Sequence, residues 1–395
     1  MGTFIGYVEP HRPLIDWQLL QQLRWKRVRE LMVREEIDAI LTNVVDNVIW
    51  LTGWPRFRTS VYEGSYGTLF LREEKEPVIL CSEGDARGLL KDQFYPDIRV
   101  MPPAQAKWPE PLKQVIADYK LGKSRLGIDN RMQASLYNAL VKTWPDATVV
   151  NVAPVLNRAR AVKNVEEIKA YEYTVSLVET GTNTAIRACK ESWGRYTENE
   201  VAALANFELL KRGCNSPDIW CVSGERAAPV RRYSTDRVVR GGEIAVIDGG
   251  AGFNGFKSEF ARSVWTGGRP TKEQKLVYRT VYESLEAAKA IMKPGTKTSA
   301  LEQACLKVVR EAGLEEHYGG YPYTGHGIGL RAEAFNVTAR YPEMETVLEE
   351  GMILNLEPGI WQEGVGGVRI EDTYLVTSSG FRVLSRAPYE DCLLD

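Results

Sequence analysis

The chain has 395 residues, 44% of them hydrophobic and 26% charged, with 50 Lys and Arg against 52 Asp and Glu for a net charge of −2. This is ordinary globular composition, enough at roughly 150 residues per domain for two or three domains, and it excludes disorder and collagen-like repeats. Near-neutrality gives no electrostatic reason to expect a phosphate backbone as partner, and no run reaches the roughly 18 to 20 apolar residues of a membrane helix. Neither nucleic acid nor membrane is an expected partner.

The first twenty residues carry Glu9, Arg12 and Asp16 where a signal peptide would be apolar, which points to a cytoplasmic location. Residues 18–37 repeat apolar positions at helical spacing, and β-rich runs at 38–43, 66–73 and 76–82 then alternate with helical stretches at 109–119 and 132–144. Such alternation predicts an α/β domain. A long charged segment of helical period, beginning VKNVEEIKAYEYT, follows it and reads as a hinge between units.

In the second half, Thr197-x-x-Glu200 is a capping box before an apolar-periodic run. Helices are expected at 271–292, stopped by Pro294-Gly295, and at 298–312, stopped by Gly313. The β-rich runs EIAVIDGGAGF, KSEFARSVWTG, GMILNLEP and VRIEDTYLVT lie between and after them, which argues for an antiparallel or mixed sheet covered by helices. Six cysteines without CxxC spacing suit reduced thiols better than a disulfide scaffold or a cysteine-bound metal.

Three segments could carry chemistry. Asn254-Gly255 is a two-residue hairpin signal, and that turn puts Asp248 opposite Ala261 with Glu259 as its diagonal neighbour on one face. Diagonal neighbours sit about 7–8 Å apart, within reach of a common ion for long side chains; a turn-flanking Asp and a solvated strand Glu would give the same pattern. GHGIGL sets His326 between glycines, on backbone of the kind that carries ligands and also structural histidines. NLEPGIW and VRIED place Glu357 and Glu371 among apolar flanks, where carboxylates must be paired, with Arg262 and Arg369 for example, or bound to metal. Together one Asp, three Glu and one His make a hard, oxygen-rich set suited to Mn, Co, Zn or Fe. Such a set can hold two divalent ions about 3.5–4 Å apart and lower the pKa of a shared water.

In order and spacing these five residues resemble the pita-bread family that includes creatinase, Xaa-Pro aminopeptidase, prolidase and methionine aminopeptidase. Its pattern is an Asp, a second acid eleven residues on, a His in GHGxG, a Glu before Pro-Gly and a Glu in R-x-E-D. DAILTNVVDNVIWLTGW is similar to the opening of a creatinase-type N-terminal domain. The resemblance implies an α/β creatinase-type N-terminal domain over 1–157. Over 158–395 it implies an α+β pita-bread catalytic domain with a curved, mostly antiparallel sheet. It further implies one or two divalent ions (Mn, Co, Zn or Fe) on Asp248, Glu259, His326, Glu357 and Glu371, and a homodimer.

The departures narrow this expectation. Glu259 stands where the peptidases carry Asp, which moves its carboxylate by about 1.5 Å. In APVRRYSTDR, Arg231 takes the place of a family histidine, and Glu333 takes the place of a second one, seven residues after His326. His11 and His317 lie outside every matching string. Ala261 occupies the position of creatinase's catalytic Glu, and Gly250 and Ala332 stand where the related sulfoniopropionate lyase has Asp. The expected activity is therefore metal-dependent hydrolysis of a C–N bond in a small, amide or dipeptide-like substrate bearing a carboxylate. Glu357 and Glu333 are the candidate proton carriers, and Arg231 with Arg232 the candidate fork for the substrate anion. A metal-dependent lyase and a non-catalytic binding protein of the same fold stay open as alternatives.

Overall fold

The structure is a computed structural model that describes residues 13–54, 66–73, 75–92, 97–191, 194–229, 231, 233–319, 324–330 and 332–395. The chain divides into two compact units, one of residues 16–160 and the other of residues 161–395 together with the residues before Asp16.

In the first, α1 (Trp17–Arg34) starts at Asp16, whose carboxylate accepts from the Leu19 N–H and satisfies one of the donors left open at a helix start. Strands β1 (Ala39–Thr42), β2 (Gly67–Leu71), β3 (Val78–Cys81), β4 (Ile98–Val100), β5 (Arg125–Ile128) and β6 (Thr148–Asn151) form one sheet in the order β4-β3-β2-β1-β5-β6. Helices α2 (Val45–Thr52), α3 (Glu83–Asp92), α4 (Pro109–Asp118), α5 (Ala134–Thr143) and α6 (Ala153–Ala161) alternate with them. Central β1 pairs antiparallel with β2 and parallel with β5, and all four of its residues are buried. The parallel neighbour needs a long crossover, which the elements between β1 and β5 supply. A polar network lies in this unit, buried except for the half-exposed Arg131. Asn47 donates to Asp129 and accepts from Arg160, and Arg131 stands 3.8 Å from Asp129 and 3.9 Å from Asp46.

The second unit opens with α7 (Val165–Glu191) and α8 (Glu198–Lys211), the latter started by the expected Thr197/Glu200 capping box. The long helix α7 is not a hinge. Its Tyr173, Leu177, Val178, Ala185 and Cys189 pack with Leu209, Ile219 and Ile247, so the charged sequence conceals one apolar face that is core. Strands β7 (Asp218–Ser223), β8 (Ile244–Phe253), β9 (Phe256–Glu259) and β10 (Arg262–Trp265) form one antiparallel sheet around β8. Helices α9 (Lys272–Ile291) and α10 (Thr298–Glu311) follow within one or two residues of the expected ends. A second antiparallel sheet runs β12-β11-β13-β16-β17, from β11 (His326–Ile328), β12 (Ala332–Asn336), β13 (Ile353–Leu356), β16 (Asp372–Val376) and β17 (Phe381–Val383). The hairpin β14 (Gly359–Gln362) and β15 (Gly366–Arg369) completes the strands. The apolar faces of α9 and α10 supply Val277, Val281, Leu285, Leu301, Cys305 and Val309 to a core shared with Leu354, Leu356, Val368 and Tyr374. No helix among the described residues is long and apolar enough to cross a membrane.

Candidate active site

The site grows out of the β8–β9 hairpin. Asn254 and Gly255 both take positive φ, 48° and 86°, as a two-residue turn of matching twist requires. The register is the expected one, Phe253↔Phe256 through Gly250↔Glu259, which leaves Asp248 and Glu259 diagonal to each other. Beyond the turn, Ala261 pairs with Glu371 and the Arg262 guanidinium donates to the Glu371 carbonyl at 2.8 Å, so Glu371 is delivered to the same hairpin.

The other sheet delivers His326 and Glu357. The Glu357 N–H donates to the Thr324 carbonyl at 2.8 Å, and the His326 N–H donates to Asn355 Oδ1 at 2.9 Å. Gly325 permits this approach: a Cβ there would stand 2.2 Å from the Asn355 carbonyl oxygen, a backbone atom that has nowhere to move. The first glycine of GHG is thus a packing requirement of the strand pair.

The five residues converge. His326 Nε2 lies 3.1 Å from Glu259 Oε2 and 3.6 Å from Glu357 Oε1, and its Nδ1 is 3.0 Å from the Gly327 carbonyl. Arg369 reaches Asp248 at 2.7 Å and Glu357 at 3.4 Å, with the Trp361 ring against its guanidinium. Asn355 donates to Glu371 and sits 3.3 Å from His326 Nε2. Asp248, His326, Glu357 and Glu371 are buried, while Glu259 keeps 29% of its side chain accessible and forms the wet edge of the cluster.

Electrostatics follow from that crowding. Burial alone would lower the His326 pKa, but the Glu259 hydrogen bond and the charges of Glu357 and Glu259 push it up to about 9. Burial raises Glu357, despite the nearby Arg369 and His326. Burial, reinforced by the charges of Glu357, Asp248 and Glu259, holds Glu371 well above the ordinary carboxylate range. For Glu259 burial is outweighed by His326, Lys257 and Arg369, and its carboxyl is lowered. Such a set keeps a proton only because negative charge is in excess.

The arrangement fits a divalent cation in donor chemistry and in charge. Four carboxylates and an imidazole face one inner guanidinium, and Nε2–oxygen spacings of 3.1 and 3.6 Å are those of two ligands roughly 2.0–2.2 Å from one ion. No group of three such donors among the described residues yet encloses a common point; the Asn355 amide and the Arg369 guanidinium stand between them.

The remaining expected residues are less well placed. Arg231 is exposed, with Nη1 3.4 Å from the Pro229 carbonyl, so the fork for a substrate carboxylate is not preformed. Solvation suits a guanidinium that no buried carboxylate holds. Arg232 lies outside the described residues. The backbone of Glu333 is on β12, which pairs antiparallel with β11 through a register shift, and its side chain lies outside the described part. The loop bearing Arg231 is anchored by Glu198, a fully buried carboxylate at the start of α8. It accepts from the N–H and hydroxyl of both Ser223 and Thr235 and from Arg226 Nε.

Asn355 escaped the sequence reading, and Arg369 entered it only as an ordinary ion-pair partner. The signal that points to them is positional: each lies two residues before a singled-out Glu, on the same face of an extended segment.

Comparison with known proteins matches residues 169–378 to metallopeptidase family M24 and residues 24–162 to the creatinase/prolidase N-terminal domain. An Xaa-Pro dipeptidase of Pyrococcus horikoshii is 28% identical over 371 residues, covering 92% of this chain and 97% of that one. An Xaa-Pro dipeptidase of Pyrococcus furiosus is 30% identical over 269 residues, covering 67% and 74%. The crystal structure of an X-Pro aminopeptidase from Thermotoga maritima superposes with a TM-score of 0.78 at 25% identity, over 93% of this chain and 98% of that one.

Proposed function

The chain belongs to metallopeptidase family M24, built as a creatinase-type N-terminal domain and a pita-bread domain, and is a metal-dependent hydrolase; from that premise we propose that it cleaves the C–N bond of small, carboxylate-bearing dipeptide-like substrates. The observation that carries the proposal is the convergence of His326 with Glu259 at 3.1 Å and Glu357 at 3.6 Å, beside Asp248 and Glu371.

On this reading Asp248, Glu259, His326, Glu357 and Glu371 hold one or two divalent ions, manganese among the candidates. When bound, such an ion polarises a carbonyl and makes a water more acidic. Glu357, buried beside His326, takes the proton of the attacking water and returns it to the leaving nitrogen. Arg369 holds Asp248 and Glu357 apart from each other and fixes their oxygens. Trp361, stacked on Arg369, excludes water from that side. Glu333 is a second candidate acid. Arg231, with Arg232, is the candidate fork for the substrate carboxylate. The reading carries with it a cytoplasmic location and a homodimer.

The absence of histidines at positions 231 and 333 favours a specialised substrate over a broad Xaa-Pro range, because two switchable imidazoles have been exchanged for a fixed cation and a carboxyl. The test is a panel of Xaa-Pro dipeptides, longer Xaa-Pro peptides and N-acyl amino acids incubated with the purified protein and Mn, Co or Zn. Amine release with a carboxylate product, abolished by chelation and restored by metal, is the expected result. An unsaturated product, or no turnover with any ion, would overturn the proposal.

A further inference from the structure

Asn355 is a neutral polar side chain set among the cluster's charged groups, and it is fully buried. It sits on β13, whose neighbours are β11 on one side and β16 on the other, so it lies between the strand that starts at His326 and the segment that carries Glu371. Its orientation is fixed by chemistry. A backbone N–H can only donate, and the His326 N–H points at Asn355 at 2.9 Å, so the atom it meets must be the amide oxygen. The amide nitrogen is then committed to the opposite side, where it donates to Glu371 Oε1 and stands 3.3 Å from His326 Nε2.

One planar group therefore measures the distance between two of the five cluster residues. Among neutral side chains, Ser or Thr is too short to bond both partners at once. Gln would push its amide one methylene further into the donors, and Asp would add a fifth carboxylate to four that already repel. An amide of Asn length satisfies the His326 backbone, leaves Nε2 facing the cluster, and holds Glu371 by one oxygen so that the other remains available.

We propose that Asn355 is the positioning residue of the ion site, setting the spacing between His326 and Glu371 and hence the affinity and coordination geometry for a divalent ion. The inference rests on the assignment of the cluster as an ion site. Partners that orient metal ligands affect affinity by about 10–100-fold when removed.

The experiment is titration of the metal-free protein with Co²⁺ alone, followed by calorimetry and by the visible absorption spectrum, for wild type, Asn355→Ala and Asn355→Thr. Wild type binds with a defined spectrum. In Asn355→Ala the dissociation constant rises by about 10–100-fold and the spectrum changes shape. Asn355→Thr, whose hydroxyl can bond one of the two partners, falls between them and also serves if the alanine variant does not fold. Thermal unfolding of the metal-free proteins is measured alongside: a merely structural role lowers the melting temperature but leaves Kd and spectrum unchanged in the folded protein, and that result overturns the inference while the ion site stands. A wild type that binds no Co²⁺ overturns the ion site itself.

Discussion

Two polar clusters, one in each unit, both set carboxylates against guanidiniums around an Asn and come out differently. In the first unit Arg131 stands 3.8 Å from Asp129 and 3.9 Å from Asp46, and Asn47 bridges Asp129 to Arg160. Two carboxylates face two guanidiniums. In the second unit Asp248, Glu259, Glu357 and Glu371 are met by Arg369 and, when it is protonated, His326. Four carboxylates face at most two cations, with Lys257 acting from farther out. Charge balance makes the first cluster a fastening. Its absence makes the second a receptor for positive charge, since a buried anionic surplus is tolerated only by protonation or by binding a cation.

That contrast can be broken at several points. The largest effect is expected from Glu357→Gln, which keeps volume but cannot carry a proton: kcat/KM should fall by about 10²–10⁴-fold, and activity within threefold of wild type would remove Glu357 from the reaction. Next, Asp129→Ala leaves the buried Asn47 amide without its acceptor and should cost about 1–3 kcal/mol in urea unfolding. Glu371→Gln in the metal-free protein should cost nothing or stabilise, because it removes the cost of keeping that buried carboxyl protonated. Equal losses in both variants would erase the distinction between fastening and receptor.

A third effect is the pH dependence of the metal-free protein. The folded His326 pKa of about 9 exceeds its ordinary 6.5, so its stabilisation is fully present below pH 6.5 and is lost as pH rises through 9. Glu371, also raised, binds a proton in the folded state that the unfolded chain has released, and so acts in the same direction. The melting temperature should therefore fall from pH 6.5 to above 9, and saturating Mn²⁺ should flatten the slope because an ion takes the protons' place. A flat profile without metal would contradict the charge surplus. The smallest effect belongs to Arg231→Ala. An exposed side chain whose removal shifts stability by no more than about 0.5 kcal/mol should leave the fold intact, and only a change in KM for carboxylate-bearing substrates over their amides would give Arg231 a binding role.

What the sequence disclosed followed the range of the forces involved. The Asn254-Gly255 turn is local, so the register it sets, and with it the diagonal of Asp248 and Glu259, was legible from two residues. Capping at Thr197 likewise marked α8, and the Pro294-Gly295 stop marked the end of α9, whose own capping box at Thr271 the structure added. The long helix α7 was misread as a hinge because its surface charges dominate the eye, while the face that makes it core, Tyr173 to Cys189, is sparse along the chain and gains meaning only against Ile219 and Ile247. Asn355 was invisible for a related reason. An amide in an apolar run is chemically mute until the strands around it place His326 on one side and Glu371 on the other.

The anchoring of the loop around Arg231 has a consequence for how this protein could change its diet. Glu198 grips Ser223 at one end and Thr235 at the other, with Arg226 bonded to it from between them, and none of these bonds uses the Arg231 side chain. Residues such as Arg231 can be replaced there while the moorings and the sheet behind them stay as they are. The scaffold thus separates the part that must be inherited intact from a short stretch free to vary, and new substrate preferences can be tried on the latter without risk to the former.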